Sequence, residues 1–139
     1  MSNTSTAHKS HRQQANSYTR QAGAHTIKAK QDAEHAATWY QVAADSHRRA
    51  TALARRPWAW DDADYNPATL DQDARTWTRT ADIMLRSSFR HTQHAAFYRG
   101  LAADYRRMAA DEDARLAESR QWLLDNDPEW CAKYGITAP

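Results

Sequence analysis

Glycine, proline and cysteine are scarce in this 139-residue chain, at 3, 4 and 1. So few turn formers starve the tight hairpins an all-β fold would need. Val42 is the single valine and phenylalanine occurs twice, which leaves little material for β-sheet. The lone Cys131 excludes an internal disulfide framework and a cysteine-based zinc site, and it fits a reducing, cytoplasmic setting. No segment approaches the ~18 consecutive apolar residues of a membrane span. The opening MSNTSTAHKSHRQQ has no apolar stretch of the kind a secretory signal carries. Acid is missing from residues 1–31, which hold Lys9, Arg12, Arg20, Lys28 and Lys30.

What is abundant is alanine, the best helix former. The composition therefore predicts an all-α protein: three long helices in a bundle, a flexible basic N-terminal arm and a short C-terminal helix. The arm is expected over residues 1–23, polar and aperiodic up to Gly23, and a single helical domain over 24–139.

A first helix is predicted over residues 24–54, with Ile27, Gln31, His35, Trp39, Val42, Ser46, Ala50 and Leu53 at helical spacing on one face. Pro57 ends it. Asn66 as N-cap and Pro67 in the first turn open a second helix, with Asp71 and Asp73 near its positive end. This helix presents Leu70, Ala74, Trp77, Ala81, Met84 and Leu85. Ser87 and Ser88 mark a bend or turn within residues 86–91. A third helix is predicted over 89–125, burying His94, Phe97, Leu101, Tyr105, Met108, Leu116 and Leu123, with Gly100 at a close packing point. Asp127-Pro128 starts a last short helix bearing Trp130 and Tyr134 and closed by Gly135.

Residues 35–50 return without a gap as residues 94–109, and half the aligned positions are identical. The matches include His35/His94, Asp45/Asp104, Arg48/Arg107 and Ala50/Ala109. On a helical wheel each copy leads with its His along an apolar line, while the Asp flanks it beside an Arg three residues on. This is one packing rule used twice, pointing to a pseudo-symmetric bundle or a self-association seam.

Candidate chemistry is thin. His91 and His94 stand i,i+3, and Asp32 and His35 form a D-x-x-H in the other repeat arm, but the Glu-x-x-His pairs of di-iron bundles are missing. Asp62, Asp64, Asn66 and Asp73 fall at calcium-loop spacing, yet Pro67 stands where the sharp turn needs Gly. A helix start explains the same residues. No phosphate-loop, nucleophile-elbow, dinucleotide or H-E-x-x-H motif occurs. The expectation is a protein that is not an enzyme, with no cofactor and no metal.

The expected role is a non-catalytic helical protein-interaction or self-association module of regulatory or structural kind. Its partner is another protein or a second copy in a homo-oligomer. Trp58 and Trp60 beside Arg55 and Arg56 have the makings of interface anchors, and Trp39 and Tyr98 lead the repeat faces. The alternative is a nucleic-acid-binding accessory protein gripping phosphates with Lys9, Arg12, Arg20, Lys28, Lys30, Arg99 and Arg106.

Overall fold

The computed structural model describes residues 9–61 and 64–138. Their regular elements are helices α1 (His11–Ala54), α2 (Pro67–Asn126) and α3 (Pro128–Lys133), with one turn of 3-10 helix at Pro57–Ala59. The all-α class holds, but two helices are long rather than three. Two expectations are corrected here. Helix α1 begins at His11, inside the stretch expected to be a mobile arm, and residues 1–8 of that arm lie outside the described residues. Helix α2 passes through residues 86–91 without a break.

Alanine explains both differences. Ala15, Ala22, Ala29, Ala36, Ala43 and Ala50 recur every seventh residue of α1 and all are buried. In α2 the buried alanines Ala74, Ala81, Ala95, Ala102 and Ala109 keep the same period, and Ser88 fills the one vacant step. A seven-residue repeat is what keeps one face of a helix against a partner helix. Ala15 and Ala22 therefore commit residues 11–23 to helix, although their neighbours are polar.

The chain divides into two compact units, residues 21–97 and residues 1–20 with 98–139. In the first, α1 and α2 run antiparallel, as the contacts Asp32–Ser87, Trp39–Trp77 and His47–Asp71 establish. That register sets Ala36 level with Ala81, and Ala43 with Ala74. At the next step Ser88 donates its hydroxyl to the Ala29 carbonyl at 2.7 Å. Ser87 and Ser88 are thus small seam residues facing α1, not a hinge. Three residues beyond Ala22, Ala29, Ala36 and Ala50 come the larger His25, Asp32, Trp39 and Leu53 on α1, and three beyond Pro67, Ala74, Ala81 and Ser88 come Leu70, Trp77, Met84 and His91 on α2; Ala43 is followed by the small Ser46. Small side chains allow helix axes to approach to about 8 Å, the short end of the usual range, so the larger groups share a narrow seam.

At the turn, Leu53, Leu70 and Ala50 form a small buried cluster. Trp60 folds back and donates its indole N–H at 2.7 Å to the Leu53 carbonyl, which also accepts from the Arg56 N–H at 2.9 Å as α1 ends. Asn66 caps α2 as expected, its side chain accepting from the Thr69 backbone N–H at 2.9 Å. Asp71 lies past the first turn and pairs with His47 instead, at 3.0 Å.

The other unit repeats the antiparallel pairing between residues 11–20 of α1 and the facing part of α2. Tyr18 stacks on Tyr98 and leans on Tyr105, His11 meets Tyr105 edge-on, and Arg12 pairs with Asp113. Asp127 caps α3 by accepting from the Trp130 N–H, Trp130 packs on Tyr134, and Gly135 closes the helix at φ 69°. Cys131 is buried.

The expected apolar stripes divide: Leu70, Ala74, Trp77, Ala81 and Met84 lie along the seam on α2, as do Trp39, Ala50 and Leu53 on α1, while several others, His94 among them, are exposed. Ile27, Leu85, Phe97, Met108 and Leu116 are exposed, and so is His35, which was expected to lead the first repeat face. Gly100 has open space around its Cα rather than a close neighbour. The repeat itself has a physical origin. Its pairs Ala36/Ala95, Ala43/Ala102 and Ala50/Ala109 are all buried seam positions, and Asp45–Arg48 and Asp104–Arg107 are equivalent ion pairs on the flank.

Candidate functional site

In residues 21–97 the seam turns polar midway. Asp32 is only 6 % exposed, the sole polar residue among the described ones to be so buried. Its carboxylate accepts from the Ser87 hydroxyl at 2.7 Å and pairs with the Lys28 ammonium at 3.1 Å, while His91 Nε2 lies 4.0 Å away. A buried carboxylate is tolerated when it is paired and hydrogen-bonded in this way. One step along the seam, His25 Nδ1 lies 2.8 Å from His91 Nδ1. The His25 ring centroid is 5.1 Å from those of both His91 and His94. Each of these three histidines offers a ring nitrogen, and the three nitrogens lie within 4.8 Å of one another.

Two helices build this trio. His91 and His94 project from one face of α2 by their i,i+3 spacing, and the antiparallel register brings His25 to them from α1. Of the residues singled out in the sequence, Asp32, His91 and His94 come together, and His35 does not join them. His25 was missed. The available signal was its place three residues after Ala22 in the alanine period, which is the place His91 holds after Ser88.

Burial disfavours the His25 cation, and His91 and His94 repel it, so its pKa lies below the ordinary 6.5. The Ser87 hydrogen bond, followed by Lys28 and His91, holds Asp32 below the ordinary 3.8 against the upward push of burial. Both signs lead to acid destabilisation. The unfolded chain binds more protons at His25 as pH falls below 6.5, and at Asp32 as it falls below 3.8. Each contribution is complete above the ordinary value and is lost as pH falls through the lower folded one. The thermal midpoint is expected to decline in two stages on acidification, with His25→Gln flattening the upper stage and Asp32→Asn the lower. Unchanged profiles in both variants would contradict this account.

The residues expected to bind partners divide. Trp58 is 81 % exposed, and Arg55 and Arg56 are exposed beside it. Trp60 is tied to α1 as described. Trp39 stacks on Trp77 and Tyr98 on Tyr18, so both contribute to the helix seam. Among the bases expected to grip phosphate, Arg12, Lys28 and Lys30 pair with Asp113, Asp32 and Glu34, and Arg106 donates to the Thr19 hydroxyl. Lys9 and Arg20 are exposed, and Arg99 has its own partner. In the calcium-like segment Asn66 serves as a helix cap, and Asp62 lies outside the described residues.

These features define a class by structure: an antiparallel helix pair with an alanine seam and a histidine–carboxylate layer. No protein-family model, curated protein or solved structure matches the chain. No described helix is long and apolar enough to cross a membrane.

Proposed function

We propose that this chain is a non-catalytic helix-pairing module that self-associates through the part of α2 beyond Asp113. One observation carries the reading. The seam period of α2 continues past Ala109 to Leu116, seven residues on, yet Leu116 is 63 % exposed. The last described contacts from α1 are those of His11 and Arg12 with Glu112 and Asp113. Leu116 thus holds a seam position with no described α1 residue level with it. Trp122, two turns further, is 61 % exposed and lines a shallow groove with Glu118, Ser119 and Leu123.

A helix with a seven-residue apolar period is completed by another helix of the same period, and a second copy brings one. Exposed apolar side chains of this size are also the usual anchors of protein interfaces. Nucleic-acid binding has less support, because several of the bases it needs are already held by carboxylates.

Light scattering of the full chain over a range of concentrations tests the proposal. The mass is expected to exceed that of a monomer, and Leu116→Glu should return it to the monomer value while leaving helicity intact. A chain that stays monomeric throughout, or a Leu116→Glu variant that associates like the parent, would overturn it. Trp58→Ala serves as a comparison at a separate exposed aromatic.

A further inference from the structure

We infer that His25, His91 and His94 form a binding site for a divalent transition-metal ion, zinc being the simplest candidate, with Asp32 as an outer carboxylate. The site draws only on residues 25–94 and is independent of the proposed self-association. Three imidazole nitrogens converge here from two helices. Three nitrogen ligands with a fourth position left to water are a recurrent zinc arrangement.

The spacing fits. Tetrahedral bonds of 2.0–2.1 Å put ligand atoms about 3.3 Å apart. One pair, His25 Nδ1 and His91 Nδ1, is 2.8 Å apart, and one nitrogen from each of the three rings lies within 4.8 Å of the others. The required separation lies between these values, so side-chain rotation alone can centre an ion.

The surroundings fit as well. With His91 Nδ1 facing the trio, its Nε2 is turned toward the Asp32 carboxylate at 4.0 Å. A ligating histidine commonly directs its other ring nitrogen to a carboxylate, which fixes the ring and raises its basicity. Asp32 is itself fixed by Ser87 and Lys28. A divalent ion binds neutral imidazole rings through a ring nitrogen, so its affinity for such a set falls as pH falls. Hard oxygen-seeking cations such as magnesium or calcium do not suit an imidazole set, whereas zinc, nickel and copper do.

The test uses the full chain, stripped with chelator and then titrated with zinc against a chromophoric competitor, with cobalt as a spectroscopic probe. One zinc per chain is expected, with the thermal midpoint rising as zinc is added. His25→Gln, His91→Gln and His94→Gln should each weaken binding by about tenfold or more. Asp32→Asn should weaken it by about 10–100-fold, the usual outer-carboxylate effect, and His35→Gln on the exposed side of α1 should leave it unchanged. Circular dichroism establishes that each variant is still helical. For a variant that is not, the parent protein decides: zinc should shift the imidazole resonances of His25, His91 and His94. Binding no tighter than that of a chain carrying His25→Gln, His91→Gln and His94→Gln together, binding retained by His91→Gln, or zinc-induced shifts confined to other histidines would overturn the inference.

Discussion

Replacing Ala36 by Leu is expected to destabilise the protein by about 3 kcal/mol, whereas Ala37→Leu next to it should change stability by less than about 0.5 kcal/mol. The two alanines look alike in sequence, but Ala36 is 1 % exposed at the seam and Ala37 is exposed. The spacing of α1 and α2 is set jointly by alanine layers, among them Ala29, Ala36, Ala43, Ala74 and Ala81. One leucine in a single layer cannot move the helices apart without emptying the layers on either side. It must adopt a strained rotamer or push the helices apart locally, and both lose contacts. At this chain length about 3 kcal/mol lowers the thermal midpoint by roughly 10 °C. Thermal and urea unfolding of the two variants side by side give the answer. An Ala36→Leu protein as stable as the parent would mean that the helices do not depend on close approach.

The same contrast explains what could be read from the chain beforehand. Local signals were legible: Asn66-Pro67 starts α2, and Asp127-Pro128 starts α3, because a cap and a first-turn proline act within four residues. The seam was not. Alanine contributes little to any apolar stripe, and it is spread so widely here that a seven-residue series does not stand out. Larger residues such as Ile27 and Phe97 fit an apolar stripe by spacing, yet they lie on the outside. Ser87 and Ser88 carry the same lesson. They are poor helix formers by propensity, yet here their small size and hydroxyls serve the approach to Ala29 and Asp32. Tertiary packing overrode the local preference.

The histidine site was half legible, for a related reason. His91 and His94 share a face by local spacing alone. His25 reaches them only through the antiparallel register, across 66 residues of sequence. By local spacing Asp32 pairs with His35, three residues on along the same helix. The alanine period shows instead that Asp32 follows Ala29 into the seam while His35 stays outside. Once the period is known, the residue three places after each small one identifies the larger seam groups on both helices. Registering α1 against α2 then assembles the layer.

Trp39→Ala and Trp77→Ala should each cost about 2–3 kcal/mol, below the 3–5 kcal/mol of a fully buried aromatic because both rings are half-buried. The rings stack with centroids 4.5 Å apart and planes within 10°. They form an aromatic layer of the unit of residues 21–97, and the seam residues next to them, Ala36, Ala43, Ala74 and Ala81, are too small to collapse into a vacated space. A lasting cavity adds its own penalty to the lost transfer energy. The pair is also expected to be coupled. A double-mutant cycle should return about 0.5–1.5 kcal/mol of interaction energy, the range for stacked aromatics beyond their buried area. Trp58→Ala provides the opposing case, since that ring is 81 % exposed and its loss should shift stability by less than about 0.5 kcal/mol. Chemical denaturation of the two singles, the double and Trp58→Ala measures all of this. A coupling energy near zero, or single losses no larger than that of Trp58→Ala, would mean that the two rings are not a packed layer of the seam.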